Sequence, residues 1–196
     1  AMHAETDIPI TPRPMYPSDG RKIPDIYTDP PDLRHRLQSR LGRFQLFNFW
    51  GPTASIPSSR WIADAASIVH DEHAPDLLMI YLQHLDYDLQ RYGPDHALSS
   101  RAMTAIDEVA GQLVDKLHRD GRRIVIVSEY GINPVEDAIH PNKVLRQAGL
   151  LRVRDELGRE LIDPGGSDAF VVADHQIAHV YVRDPNRLEE VRLILG

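Results

Sequence analysis

The run Leu77-Leu78-Met79-Ile80-Tyr81-Leu82-Gln83-His84-Leu85-Asp86, closed by Gly93-Pro94, constrains the fold of this chain more than any other stretch. An apolar, β-prone segment of strand length that ends abruptly in His and Asp reads as a buried parallel strand. Such a strand delivers a carboxylate to its C-terminal edge, where open α/β sheets place their ligands. Arg122-Arg123-Ile124-Val125-Ile126-Val127-Ser128 repeats the plan and stops at Glu129-Tyr130-Gly131. Between them, Met103, Ile106, Ala110, Leu113 and Leu117 recur at steps of three and four, after Ser99-Ser100 and before Gly121, as in an amphipathic helix. Strand, helix and strand make a βαβ unit with a right-handed crossover. Segments 77–82 and 124–127 are therefore expected to be parallel central strands with their acidic ends at one edge.

The flanking segments extend this alternation. Seven of the fifteen prolines fall between Ile8 and Pro31, a density that forbids helix or central strand and predicts an extended arm over 1–31. An α/β core is expected over 32–150. It starts with a helix capped by Asp32, carrying Leu33, Leu37 and Leu41 and ending at Gly42, followed by a strand from Phe44 to Phe49. Ser58 or Ser59 then caps a helix with Trp61, Ile62, Ala65, Ile68 and Val69 inward. Pro141 opens a short helix whose buried side is Val144, Leu145 and Ala148. The last part, 151–196, reads as a β-rich addition. It contains a strand from Leu150 to Arg154, a hairpin turn at Glu156-Leu157-Gly158, and paired strands at Ala169–Ala173 and Ala178–Val182 around Asp174-His175-Gln176. The fold class expected is α/β, a mostly parallel sheet flanked by helices, in one domain of 196 residues.

Composition excludes several functions. A net charge of −7, with no dense Lys/Arg cluster, argues against bulk nucleic acid as a partner. Apolar runs no longer than a strand predict no membrane span. With no cysteine the chain has neither a disulfide framework nor a thiolate metal site, which fits a cytoplasmic setting. The apolar end Leu193-Ile194-Leu195-Gly196 and the start at Ala1 are read as those of an internal piece of a longer protein.

Five residues are candidate metal ligands, four of them from their placement. Asp86 and Glu129 stand at the two strand ends; the competing role for Asp86 is to cap the following turn. His84, two residues before Asp86, shares its face on a strand, although a strand-end histidine can equally be only hydrogen-bonded. His175 sits at the turn between the last two strands, within reach of a site. His179 is four residues further along extended chain, roughly 13 Å, and so faces the sheet rather than the same ion. Asp88 and His96 read as solvated loop groups.

These motifs resemble the alkaline phosphatase superfamily, and within it the type I phosphodiesterase/nucleotide pyrophosphatase family. The likeness is carried by Tyr81 to Asp86, by Gln90 and Gly93-Pro94, by Ser128-Glu129-Tyr130-Gly131, and by Asn142 to Leu151 with Val144-Leu145 and Gly149-Leu150-Leu151. It covers roughly the middle half of the chain. It implies an alkaline-phosphatase-like core fragment in which Asp86 matches a metal ligand. Gln90, the fifth candidate, falls where the family has His, Glu129 where it has Asp, and Tyr130 where it has a second His.

The resemblance further implies two divalent metals, usually zinc, that bind a phosphate ester attacked by a Thr or Ser. No counterpart of that nucleophile precedes Leu77, so no catalytic residue is assigned, and a further ligand His is expected late, beyond Gly196. Oxygen donors such as Asp86, Glu129 and Gln90 also suit manganese or magnesium. The implied function is part of a metal-dependent hydrolase of phosphate diesters or nucleotide pyrophosphates acting on a small phosphorylated substrate, with this piece alone inactive. Two alternatives stand beside it. One is a noncatalytic superfamily member that binds a phosphorylated ligand or partner. The other is an unrelated doubly wound sugar-nucleotide or phosphosugar enzyme, for which no GxGxxG or Walker-type loop is present.

Overall fold

The computed structural model describes residues 5–174 and 176–196. Contacts divide the chain into two compact units, Ala1–Val135 and Glu136–Gly196. Helix and strand are mixed as expected. Among the described residues, however, the strands form three antiparallel two-stranded ribbons, and the parallel sheet is not seen.

The first unit opens with β1 (Ile10–Pro12) and β2 (Ile26–Thr28), paired antiparallel. Each strand of such a ribbon keeps one free edge, which is where a proline-rich segment is tolerated. Pro31 starts α1 (Pro31–Leu41), so Asp32 lies inside the first turn rather than capping it. There it complements the positive end of the helix dipole. Gly42, with φ of 75°, ends the helix in a conformation that disfavours other residues.

The carboxylate of Asp25, only 3% exposed, ties the ribbon to this helix. Its Oδ1 accepts from Arg34 Nε at 2.7 Å, Gln38 Nε2 at 2.9 Å and the Ile26 amide at 2.8 Å, while Oδ2 accepts from Arg34 Nη2 at 2.8 Å. Leu33 and Leu37, one turn apart, enter a core with Ile26, Phe44, Leu46, Phe49, Trp61, Ala65, Ile68 and Val69.

The predicted strand at Phe44–Phe49 is instead a short 3₁₀ turn at Leu46–Asn48. A strand would set Phe44, Leu46 and Asn48 on one face and send Phe49 to the other. The turn brings Phe49 onto Phe44, with ring centroids 5.6 Å apart, and Trp61 meets Phe44 at 5.1 Å. Helix α2 (Ile56–His73) follows Ser55, three and four residues before the two predicted caps. Ser58 and Ser59 are accordingly buried within its first turns, Ser58 Oγ donating to the Asn48 carbonyl at 2.8 Å.

Helix α3 (His84–Tyr92) leads to α4 (Ala97–Arg119), whose first amides are met by His96 Nδ1, accepting from Leu98 N at 3.1 Å. Ala102, Ile106, Val109, Leu113 and Leu117 form its inward stripe, and Met103 falls outside it, 42% exposed. This stripe packs against Ala63 of α2. Ile80, Leu82 and Ile124 join the same layer.

The segments read as central strands are irregular and carry no ladder. Their inward side chains pack on α4, while Met79 is 84% exposed and Ile126 and Val127 are each 81% exposed. Parallel strands are stable when both faces and both edges are covered; here 77–82 leaves one face to solvent, and after Ile124 the successive residues Val125, Ile126 and Val127 are all exposed. The extended run also stops at Gln83, so Asp86 lies in the first turn of α3 and not on a strand.

The second unit contains α5 (Pro141–Gln147), β3 (Val153–Glu156) paired with β4 (Arg159–Ile162), β5 (Ala169–Asp174) paired with β6 (Ile177–Val182), and α6 (Leu188–Leu195). Leu157 and Gly158, both at positive φ, make the predicted hairpin turn. Leu145, Leu150, Leu151, Ala169, Val171 and Val191 form the core. Of the inward face expected on α5 only Leu145 is buried; Val144 is 37% exposed and Ala148, past the end of the helix, is exposed too. The apolar end of the chain is helical, with Ile194 and Leu195 packed on this core.

Asn142 bonds to Val171 as a peptide group would, Nδ2 donating to its carbonyl and Oδ1 accepting from its amide, both at 2.7 Å. Two outcomes are expected from this architecture. Asn142→Ala strands both backbone groups of Val171 and is expected to cost about 1–3 kcal/mol, read as lost amide-exchange protection at Val171 with urea denaturation as the measure.

For Asp25, burial alone would raise the carboxyl, but the bonds from Arg34, the Ile26 amide and Gln38 hold it below its ordinary value. The stabilisation is therefore full above about pH 4 and is lost as pH falls through the lowered folded value. Asp25→Asn is expected to cost about 2–4 kcal/mol near neutrality and to flatten this acid limb, followed by Trp61 fluorescence.

Candidate functional site

The candidate site begins with a buried polar anchor. Gln83, the last residue of the extended run, donates from Nε2 to Ser58 Oγ at 2.8 Å and fixes the start of α3 on the first turn of α2. His84 follows it into the interior, 9% exposed, and its Nδ1 has no hydrogen-bond partner among the described residues. Burial pushes its pKa down; Asp88 opposes this and Arg91 reinforces it.

On a helix two residues are separated by about 200°, so His84 and Asp86 do not share a face. This corrects the same-face expectation, which held only for a strand. Asp86 and Gln90, four apart, do lie on one face of α3, and Gln90 is exposed.

The second extended segment meets Asp86 directly. Tyr130 donates its phenol to Asp86 Oδ1 at 2.6 Å, and Ser128 Oγ donates to the Tyr130 carbonyl at 2.7 Å. The phenol of Tyr130 is pushed up to about 12, first by its bond to Asp86, then by burial and by the charges of Asp86, Tyr81 and Glu129. Tyr81 is also raised, by burial first and then by Asp86, Tyr87 and Glu129. Asp86, Glu129, Tyr130 and Tyr81 thus share one electrostatic neighbourhood. Beside them Arg91 bonds Asp88 at 2.8 Å and the Gly51 carbonyl at 3.0 Å, and its guanidinium lies 5.7 Å from the Tyr87 ring centre.

The remaining candidates lie elsewhere. His175 is outside the described residues. His179 stands on β6 opposite Val172, an exposed sheet-face residue as read.

One further group has metal-ligand chemistry that sequence reasoning missed. His70, Asp71 and Asp120 bring ligand atoms within 4.8 Å of one another where the C-terminal ends of α2 and α4 meet. His70 Nε2 lies 3.1 Å from Asp120 Oδ2, and Lys116 donates to Asp71 and, at 3.2 Å, to Asp120. Lys116 is the cation of this group; its bonds hold Asp120 low, and Asp71 first and Asp120 next keep the ammonium high. His70 is twelve residues along α2 from the Ser58 anchor, about 18 Å. No local pattern joins residues 50 positions apart, and only the packing of α2 on α4 does so.

The candidate ligands Asp86, Glu129 and Gln90 offer oxygen donors, a chemistry that suits a hard divalent ion better than zinc, and the imidazole of His84 is buried off the Asp86 face.

Residues 2–194 match the family of type I phosphodiesterases and nucleotide pyrophosphatases. The chain belongs to this family, and the match extends well beyond the motifs quoted above, which removes the reading of an unrelated doubly wound enzyme. No curated protein and no solved structure matches it. No helix among the described residues is long and apolar enough to cross a membrane.

The Tyr130–Asp86 bond predicts its own titration. In Asp86→Asn the phenol of Tyr130 is expected to fall from about 12 toward the ordinary tyrosine value, because the anion favouring its protonated form is gone. An ultraviolet pH titration against Tyr130→Phe identifies the group.

Proposed function

We propose that this chain carries the metal-holding edge of a hydrolase of phosphate diesters or nucleotide pyrophosphates, with Asp86 and Glu129 as the anionic ligands. The observation that carries the reading is the 2.6 Å bond between Tyr130 and Asp86, which joins the first turn of α3 to the segment that follows 124–127 in a member of a phosphodiesterase family. Gln90, on the Asp86 face of α3, adds an amide oxygen. A divalent ion bound there supplies positive charge to the phosphoryl oxygens. The oxygen donors favour magnesium or manganese over zinc.

Tyr130 keeps its proton across the physiological range and acts at this edge as a donor. Residues 77–82 and 124–127 serve as parallel strands in the assembled site, a reading supported by their inward packing on α4 and the meeting of their ends. The attacking Ser or Thr comes from outside these 196 residues, so the piece alone does not turn over. The substrate is a small phosphorylated molecule rather than bulk nucleic acid, in keeping with the net charge of −7. A second reading, a noncatalytic binder of a phosphorylated ligand, is favoured by the amide at Gln90 and the phenol at Tyr130 in place of imidazoles.

The test is a chromogenic phosphodiester assay on the 196-residue chain and on the full open reading frame that encodes it. Turnover is expected from the latter alone, abolished by chelator, and lowered about a hundredfold or more by Asp86→Ala or Glu129→Ala. Turnover indifferent to chelator and to both substitutions overturns the hydrolase reading. Binding of the ester without turnover supports the noncatalytic one.

A further inference from the structure

We propose that the outer edge of β6 is a docking surface for a second copy of this chain, the two copies pairing β6 with β6 antiparallel about a twofold axis at Val180. The two edges of the β5–β6 ribbon differ. On β5, Asn142 holds the amide and the carbonyl of Val171, both at 2.7 Å, so these groups point away from β6 and are covered. Val171 stands opposite Val180. In an antiparallel ladder such a pair exchanges no bonds, so Val180 turns its own amide and carbonyl outward, and at period two Ala178 and Val182 do the same. The bond from the Arg183 amide to the Asp168 carbonyl, at 2.8 Å, fixes the same phase. Among the described residues β6 has β5 as its one neighbouring strand, and no backbone group meets its outer edge.

This edge also lacks the devices that keep edges apart. Residues 177–182 contain no proline and no Asp, Glu, Lys or Arg, whereas β3 and β4 carry Arg154, Asp155, Glu156, Arg159 and Glu160. Val180 and Val182 line an apolar groove of about 690 Å³ with Leu188, Val191 and Leu195 of α6. Val180 is 46% and Leu188 53% exposed there. An occupant must therefore offer free backbone groups at every second residue and small apolar side chains at the same positions, and β6 itself does so. Symmetry fixes the register. With Val180 opposite Val180, Ala178 meets Val182 and Val182 meets Ala178, so every outward amide and carbonyl of both strands is bonded. Those side chains of the second copy then enter the groove. On the opposite face His179 comes to lie across from Tyr181 of the second copy, next to the stack of Phe170 on Tyr181, whose ring centroids are 5.0 Å apart. Two six-residue strands and the adjoining groove bury on the order of 1,000 Å² in total, the size of a reversible dimer of micromolar affinity.

The experiment is sedimentation velocity on the 196-residue chain and on the full open reading frame, from nanomolar to submillimolar concentration. Amide exchange is followed at Ala178, Val180 and Val182, with circular dichroism to verify folding. Val180→Lys and Val180→Glu each set like charges opposite one another and are expected to weaken dimerisation about tenfold or more, whereas their equimolar mixture restores it. The chain has no cysteine, so Val180→Cys, with Cα atoms about 5.5 Å apart across the axis, is expected to form a disulfide dimer on mild oxidation. Val172→Cys, at a position 48% exposed but on β5, is expected to stay monomeric. These results, with protection of the three amides that rises with concentration, support the β6 dimer. The wild-type measurements decide it even where a variant misfolds. A wild type that is monomeric at every concentration overturns the proposal, and so does a dimer in which the three amides stay unprotected or which survives both charged substitutions. Failure of the mixture to re-form the dimer, or equal cross-linking of Val172→Cys, overturns the twofold pairing. A monomeric product of the full open reading frame with these amides protected puts another strand of the same polypeptide on β6 and overturns it as well.

Discussion

The bond from the Gln83 amide to the Ser58 hydroxyl is where the first unit is pinned. Both groups are buried, so each needs the other, and a partner lost here would leave a desolvated donor or acceptor. The bond stops the extended run at Gln83 and starts α3 on the first turn of α2. From that fixed start follow the inward position of His84, the outward position of Asp86, and the alignment of Gln90 with Asp86. It also sets Ile80 and Leu82 against the stripe of α4. A slip of one residue would move all of these side chains at once, the helical ones by about 100° and the extended ones to the opposite face.

Legibility in the sequence followed the range of the interactions. Helix α4 was readable because twenty-three residues repeat one period, although Met103 and Ala110 of the expected stripe give way to their neighbours Ala102 and Val109. The two hairpins after Leu150 were readable because Leu157-Gly158 and the residues around Asp174 carry turn chemistry next to alternating strands. Phe44–Phe49 misled because its aromatic content suits a strand, whereas what decides its shape is Trp61, remote in sequence, which offers a ring to Phe44. Segments 77–82 and 124–127 form no ladder, because pairing is a property of two segments and no single one announces its neighbour. The facing of His84 and Asp86 was misjudged through the strand-to-helix boundary, where an error of three residues changes the angular step from 180° to 100°.

The two polar groups of the first unit show how a cluster of carboxylates is settled in different ways. At the meeting of the C-terminal ends of α2 and α4, the negative helix ends and Asp71 and Asp120 attract a cation, and Lys116 supplies it from the adjacent turn. At the start of α3, the carboxylate of Asp86 receives a neutral phenol, which satisfies one oxygen without cancelling its charge. The first arrangement is electrostatically closed. The second leaves that charge in place, because a hydrogen-bond donor without charge satisfies an oxygen but neutralises nothing.

Family membership and altered ligands are reconcilable on the same reasoning. By the resemblance of their motifs, Glu129, Gln90 and Tyr130 stand where the family has Asp and two imidazoles. Glutamate keeps the negative charge of aspartate, and amide and phenol are as neutral as the imidazoles they replace, so the charge presented to a dication is unchanged. What changes is hardness, since nitrogen donors give way to oxygen throughout. A scaffold that places these positions together is indifferent to that exchange, because the packing of Ile80, Leu82 and Ile124 on α4 involves none of the altered side chains. The fold can therefore stay within the family while the donors at these positions change from nitrogen to oxygen.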